Sequence, residues 1–220
     1  MTATQTDYPV TLRGEQFVLL PERAVFWPDR ATLVISDLHV GKAAAFRAAG
    51  VPVPEATTAA MLGRLTAAIA RTQAGTILCL GDLLHAASGR TPAALEAVRS
   101  WREQHSDLTF ILVRGNHDTR SGDPPDEWGI HCVDEPWNFG PFAWRHRPAV
   151  TPDRYTFAGH VHPAVALNAR GRQQITLPCF HFGAQIGLLP AFGEFTGTAL
   201  VRPVTGDRVF VIAGERVVPV

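Results

Sequence analysis

Three short apolar, β-branched runs pattern the first half of the chain: Ala31–Ser36, Thr76–Leu80 and Leu108–Val113. Each gives way abruptly to polar residues or glycine, which predicts buried strands with functional turns at their ends. Between the first two runs, Met61, Leu62, Leu65 and Ile69 recur at helical spacing and predict a helix over 55–72. Thr91-Pro92 reads as an N-cap followed by proline at the first helical position, with Leu95, Val98 and Trp101 as the buried face and an end near His105. Residues 40–53 predict a loop with one short helix. Upstream, Phe17–Leu20 and Ala24–Trp27, separated by Pro21-Glu22-Arg23, predict a hairpin or two short strands. The alternation of strand and helix from residue 31 to 113 implies βαβ units and a parallel sheet. After residue 120 the pattern changes. Short runs at Tyr155–Ala158, Gln174–Leu177 and Arg208–Ile212 predict strands without helices, and a second sheet facing the first is the economical arrangement. No linker, repeat or low-complexity segment divides residues 1–220, so one α/β domain is expected.

Composition changes the picture in two places. No apolar stretch approaches ~18 residues, so no membrane span is expected, and Met1–Tyr8 lacks the apolar centre of a signal peptide. Cys79, Cys132 and Cys179 are few, odd in number and widely spaced, which fits a disulfide-free cytoplasmic protein. The formal net charge is zero, and Lys42 is the one lysine, so arginine supplies 19 of the 20 basic residues. Two bound divalent ions would turn that zero into +4, so a neutral sequence is compatible with an anion-attracting site. No basic tail or helix argues for nucleic acid on charge alone.

The polar residues ending the strands are of metal-binding types. Asp37 and His39, two apart, can chelate one cation. Asp82, after Gly81, suits a bridging carboxylate with an oxygen for each of two metals. In Gly115-Asn116-His117-Asp118, Asn116 offers a hard neutral oxygen, His117 an imidazole for proton transfer, and Asp118 a carboxylate to fix the tautomer of that imidazole. His160 and His162 repeat the spacing of two, which puts their rings ~6–7 Å apart, suited to two ions ~3.5–4 Å apart. Arg114, Arg120, Arg145 and Arg147 stand beside these motifs, and their guanidinium forks match phosphate oxygens. Singly each piece has an ordinary structural explanation; four in this order, three of them clearly ending strands, do not.

Together, Asp-x-His, Gly-Asp, Gly-Asn-His-Asp and Gly-His-x-His resemble the motif series of the calcineurin-like metallophosphoesterases. The resemblance implies a four-layer α-β-β-α sandwich, two facing mixed sheets flanked by helices, with a two-metal centre at the strand ends. It assigns Asp37, His39 and His162 to one metal, Asp82 to a bridge, and Asn116 and His160 to the other. A further histidine is required between the third and fourth motifs; His146 is favoured over His131. Gly159-His160-Val161-His162-Pro163, Leu177-Pro178-Cys179-Phe180 and Leu189-Pro190-Ala191-Phe192-Gly193 resemble a narrower group, the DNA-ligase-associated metallophosphoesterases related to SbcD-type nucleases. That group is encoded beside a DNA ligase, a helicase and an exonuclease. The last of these stretches carries no ligand chemistry of its own.

The resemblance implies two-metal hydrolysis of a phosphodiester, with DNA as substrate and a DNA-damage-response endonuclease role. It favours Mn²⁺, although the mixed His, Asp and Asn donors also suit Fe or Zn²⁺. His117 would stabilise charge or protonate the leaving oxygen. His85, in Gly81-Asp82-Leu83-Leu84-His85, resembles a DNA-positioning histidine of those nucleases. The alternatives are a phosphatase or phosphodiesterase acting on a small nucleotide and, with all ligands present a poorer fit, a non-catalytic scaffold.

Overall fold

The computed structural model describes residues 6–54, 57–168 and 174–220. Strands β1 (Tyr8–Leu12), β2 (Glu15–Leu20) and β3 (Ala24–Trp27) form an antiparallel meander that leads into β4 (Thr32–Ile35). From there the chain passes through α1 (Lys42–Ala48) and α2 (Thr57–Thr72) to β5 (Thr76–Cys79). It then continues through α3 (Pro92–Gln104) to β6 (Thr109–Val113), and through α4 (Asn116–Ser121) to β7 (Ile130–Val133). β4 to β7 pair parallel, as the alternating pattern implied, and the seven strands lie in chain order.

The second sheet is built from β8 (Trp137–Phe139), β9 (Phe142–Arg145), β10 (Tyr155–Ala158), β11 (Pro163–Asn168), β12 (Gln174–Phe182), β13 (Ile186–Leu188), β14 (Ala199–Leu200), β15 (Arg208–Ala213) and β16 (Arg216–Pro219). β9, β10 and β13 are parallel, whereas β12 is antiparallel to β11, β13 and β15. Both sheets are therefore mixed.

Strand alternation sorts side chains into two cores. Leu33, Ile35, Ile77, Cys79, Phe110 and Leu112 face α2 and α3, meeting Met61, Leu65, Ile69, Val98 and Trp101. Val34, Leu78 and Val113 point the other way, toward Phe142, Trp144, Phe157, Phe180 and Phe182 of the second sheet. Aromatic contact fills this interior; the Trp144 and Phe157 rings stack at 4.8 Å. Burial of a large aromatic contributes ~1.5–3 kcal/mol, so the two sheets are fixed firmly at their strand ends, where the polar motifs lie.

Thr91 caps α3 as its sequence predicts, its hydroxyl accepting from the Ala94 N–H at 3.3 Å. α4 lacks apolar periodicity and is invisible to pattern reading; the Asp118 carboxylate holds its first turn by accepting from the Gly115 N–H at 2.9 Å. The helices of the described residues all precede residue 129. Of these, α2 and α3 cover the first sheet. The outer face of the second carries a small apolar cluster, in which Cys179, Val209 and Val211 pack against Val165, Leu167 and Leu177. No helix of the described residues is long and apolar enough to cross a membrane.

Candidate metal centre

Both sheets aim the C-terminal ends of parallel strands at one place, where ligands of open α/β sheets collect. Asp37 and His39 follow β4, Asp82 follows β5, Asn116 follows β6, His146 follows β9, and His160 and His162 follow β10. The loops after β4 and β5 remain paired beyond the strands. Asp37 N–H donates to the Gly81 carbonyl at 3.1 Å, and His39 N–H to that of Asp82 at 2.9 Å. Five of these residues turn sharply as they leave the sheet: Asp37, His39, Asp82, His160 and His162 all have φ between 49° and 67°. Non-glycine residues occupy that left-handed region only against a steric penalty of ~1–3 kcal/mol each, characteristic of functional sites. The spacing of two between Asp37 and His39 therefore does not work through an extended strand. They converge because each adopts a left-handed turn.

Close backbone approach makes room for the ligands. A Cβ on Gly115 would lie 2.2 Å from Asp82 Oδ1, and one on Gly81 would lie 2.4 Å from His146 Nδ1. Glycine is required at both places by contact with a ligand side chain.

Among the described residues the His and Asp donors converge in three groups. Asp37, His39 and His162 form the first and Asp82, His146 and His160 the second; His39, His85 and His117 form a third that shares His39 with the first. In the first, Asp37 Oδ1 stands 3.3 Å from His162 Nε2 and 4.0 Å from His39 Nε2. All three atoms are buried and have no hydrogen-bond partner. A buried polar atom without a partner costs ~1–3 kcal/mol, and three aimed at one point fit a cation. In the second group, His146 Nε2 lies 3.4 Å from Asp82 Oδ2, 3.1 Å from Asn116 Oδ1 and 3.0 Å from His160 Nδ1. Asp82 reaches both groups with a single oxygen. Oδ2 lies 3.8 Å from His39 Nε2 as well, while Oδ1 accepts the His117 N–H at 2.9 Å. The sequence alone predicts one oxygen for each ion; the His117 N–H occupies Oδ1 and leaves Oδ2 for both.

Ring orientation is set from behind. His162 Nδ1 donates to the Thr196 carbonyl at 3.0 Å and His146 Nδ1 to the Leu80 carbonyl at 3.0 Å. His117 Nδ1 is bonded to the His85 carbonyl. Each such bond puts Nε2 toward the centre with its lone pair available, the arrangement that orients metal-binding imidazoles. Electrostatics agree. Burial drives His39 down to about 2 and His85 down to about 4, so both rings are neutral near pH 7. Burial pushes Asp37 up, but His162 and the neighbouring rings outweigh it and hold the carboxyl below its ordinary value. Burial dominates for Asp82 and raises it. Nitrogen and oxygen donors of this kind suit Mn²⁺, Fe or Zn²⁺.

The structure corrects several sequence expectations. Asp118 does not touch the His117 ring. It is fully buried and accepts three backbone N–H bonds, from Asp82 at 2.7 Å, Gly115 at 2.9 Å and Leu84 at 3.1 Å. It therefore anchors the second and third motifs together, and the His85 carbonyl sets the His117 tautomer. Arg114 is not free for phosphate, because its guanidinium is held by Asp123 at 2.7 Å and Asp134 at 2.9 Å. Arg145 is turned toward Glu135, 3.9 Å away. Arg147 and Arg120 line a cavity of 270 Å³ together with Asn116 and Thr119. His146 is buried within the second group, whereas His131 is exposed on β7 and lies outside both. His85 stacks on His117 with ring centres 5.0 Å apart and meets His39 across 3.4 Å between Nδ1 atoms. His181 pairs with Asp207 at 2.7 Å.

One stretch without chemistry of its own acquires a role. The Phe192 N–H donates to the Ser36 carbonyl at 2.8 Å and the Gly193 N–H to that of Asp37 at 2.9 Å. Leu189–Gly193 thus braces the first ligand loop, and Arg64 ties it down through Glu194 and the Phe192 carbonyl. Only the tertiary fold reveals this.

With the geometry established, comparison with known proteins bears on it directly. The family model described as calcineurin-like phosphoesterase matches residues 31–185, a span holding every strand-end ligand. The chain belongs to the calcineurin-like phosphoesterase family. Among solved structures, this phosphoesterase is similar to the Pseudomonas putida nuclease MPE at 41% identity, covering 98% of this chain and 100% of that one with a TM-score of 0.87. Yfce, a phosphoesterase from E. coli, matches at 16% identity over 83% of this chain and 88% of its own, with a TM-score of 0.40. No curated relative matches the phosphoesterase.

Proposed function

We propose that the chain is a two-metal phosphodiesterase that cleaves DNA internally, in the service of DNA repair. The observation that carries this reading is the joint presence of two converging ligand groups linked by Asp82 Oδ2 in a chain 41% identical to a nuclease along nearly its whole length. Asp37, His39 and His162 would hold one ion, and Asn116, His146 and His160 the other, with Asp82 shared. Divalent ions so held supply Lewis acidity and a nucleophile at neutral pH.

The protein's own groups do the rest. His117, kept in one tautomer by the His85 carbonyl, presents Nε2 at the centre to exchange a proton with the leaving oxygen. Its backbone N–H fixes the Asp82 carboxylate. His85, stacked on His117, stands where a nucleic-acid strand entering the site would be met. Arg120 and Arg147, on the Asn116 side, offer forks to neighbouring phosphates. Mn²⁺ is the favoured ion.

The test is Mn²⁺-loaded protein assayed in parallel on single-stranded DNA, duplex DNA, cyclic nucleotides and an aryl phosphodiester. Endonucleolytic cleavage together with aryl-ester hydrolysis is expected, and His85→Ala is expected to impair DNA cleavage more than ester hydrolysis. Brisk turnover of a cyclic nucleotide without DNA cleavage would replace this reading with a nucleotide-directed one.

A further inference from the structure

Of the basic residues around the centre, Arg114 is neutralised by two aspartates and Arg145 faces Glu135. Lys42, the chain's one lysine, is different. It opens α1 directly behind the first ligand loop, its backbone N–H donating to the His39 carbonyl at 3.0 Å. With His39 and Glu194 it lines a small cavity at the edge of the first group. Its side chain is half-buried, and among the described residues its ammonium has neither a hydrogen bond nor an ion pair. Its Nζ lies 5.7 Å from the centre of the Phe46 ring, and Phe46 in turn meets His85 edge-on at 6.3 Å. The ammonium is coupled to the charges of Asp37 and Asp82, and its own charge helps hold His39 and His85 down and opposes the rise of His162.

A half-buried cation without a partner is unfavourable. Here the unfavourable term grows when the site is loaded, since two dications outweigh the two carboxylates and leave +2 beside the ammonium. Stability gives no reason to keep such a charge. An anion arriving at the loaded site does, because an ammonium is a compact point charge with three donors for phosphate oxygens.

We infer that Lys42 is a phosphate-binding residue, holding an oxygen of the substrate strand on the His39–His85 side of the centre, opposite the Asn116–Arg147 side. The inference rests on the nuclease reading and adds to it the cation that grips the strand. It also gives the strand a path, since a strand held by Lys42 at one side and by Arg147 at the other must cross both ligand groups.

Binding is measured by fluorescence anisotropy with a labelled single-stranded oligonucleotide, in Mn²⁺, over a series of salt concentrations. The His117→Ala background keeps the strand intact. Losing one phosphate contact lowers the slope of log affinity against log salt by about 0.7, and Lys42→Gln is expected to do this while weakening binding about five- to ten-fold. Lys42→Arg should restore most of both, and Mn²⁺ content should be the same in all three proteins. An unchanged slope in Lys42→Gln, with wild-type protein that cleaves DNA, overturns the role of Lys42 and leaves the nuclease reading intact. Wild-type protein that neither binds nor cleaves DNA overturns both. Steady-state kinetics on an aryl phosphodiester then locate the contact. A raised KM there as well as on DNA assigns Lys42 to the scissile phosphate, and a rise confined to DNA assigns it to the adjacent one.

Discussion

The two ligand groups lie side by side yet are finished differently. In the first, Asp37 Oδ1, His39 Nε2 and His162 Nε2 are buried and unpartnered. In the second, the His146 ring meets Asn116 and His160 within 3.1 Å, and His160 is exposed. With its Nδ1 donating to Leu80, His146 Nε2 can accept from His160 Nδ1 but finds only a second acceptor in Asn116 Oδ1. The second group is thus satisfied in part from its own side chains, whereas all three atoms of the first depend on a cation. The first group is also the better braced, by the paired loops after β4 and β5 and by Leu189–Gly193 behind Ser36 and Asp37. Rigidity and unsatisfied donors together favour tight binding. The first group should therefore hold its ion more firmly than the second.

The most damaging change should be at the residue common to both. Asp82→Ala removes the oxygen that faces His39 and His146. At least one ion per chain and nearly all activity should go with it. Elemental analysis that still finds two ions would refute a shared carboxylate.

His117→Ala comes next. The His117 ring approaches Asp82 only to 3.9 Å and groups with His39 and His85 rather than with either set that meets Asp82, so both ions should remain while turnover falls ~10²–10⁴-fold, the range for a lost general acid or base. A variant stripped of metal would make His117 a ligand instead.

A smaller and more selective effect is expected at His146. His146→Ala should deplete the second ion and spare the first, whereas His131→Ala, on an exposed strand position, should leave both. Metal content in the reverse pattern would move the role to His131.

The least dramatic test concerns pH. His39 and His85 are held neutral in the fold by burial, down to about 2 and about 4. In the unfolded chain both take a proton near 6.5. Between those values the unfolded state binds more protons at these two positions, so the stability they contribute falls as pH drops from about 6.5 toward 4. His162 acts in the opposite sense, because Asp37 outweighs burial and raises it; its contribution is present at low pH and lost as pH rises. Urea denaturation in chelator at pH 7 and pH 5 should show lower stability at pH 5. Equal stability would mean that these rings are not buried as described.

The contrast between the groups also marks what a sequence can reveal. The βαβ half was legible because its strands and helices carry strong periodicity, and the ligands were legible because Asp, His and Asn end those strands at regular spacing. What escaped depended on contacts between distant segments. Asp118 sits beside His117 in sequence, but α4 turns its carboxylate back onto the amides of Asp82 and Leu84. Arg114 borders the third motif, yet the fold brings Asp123 and Asp134 to it. Leu189–Gly193 shows its purpose only once it lies behind Asp37. Lys42 carries no motif signal at all; what distinguishes it is that, among the described residues, its ammonium has no hydrogen bond or ion pair.

The central claim, that two unequal cation sites share Asp82, is tested most directly by calorimetric titration of chelator-stripped wild-type protein with Mn²⁺. Two sites per chain are expected. The tighter should disappear in Asp37→Ala and the weaker in Asn116→Ala. A single site, or two sites that both survive these substitutions, would contradict the account.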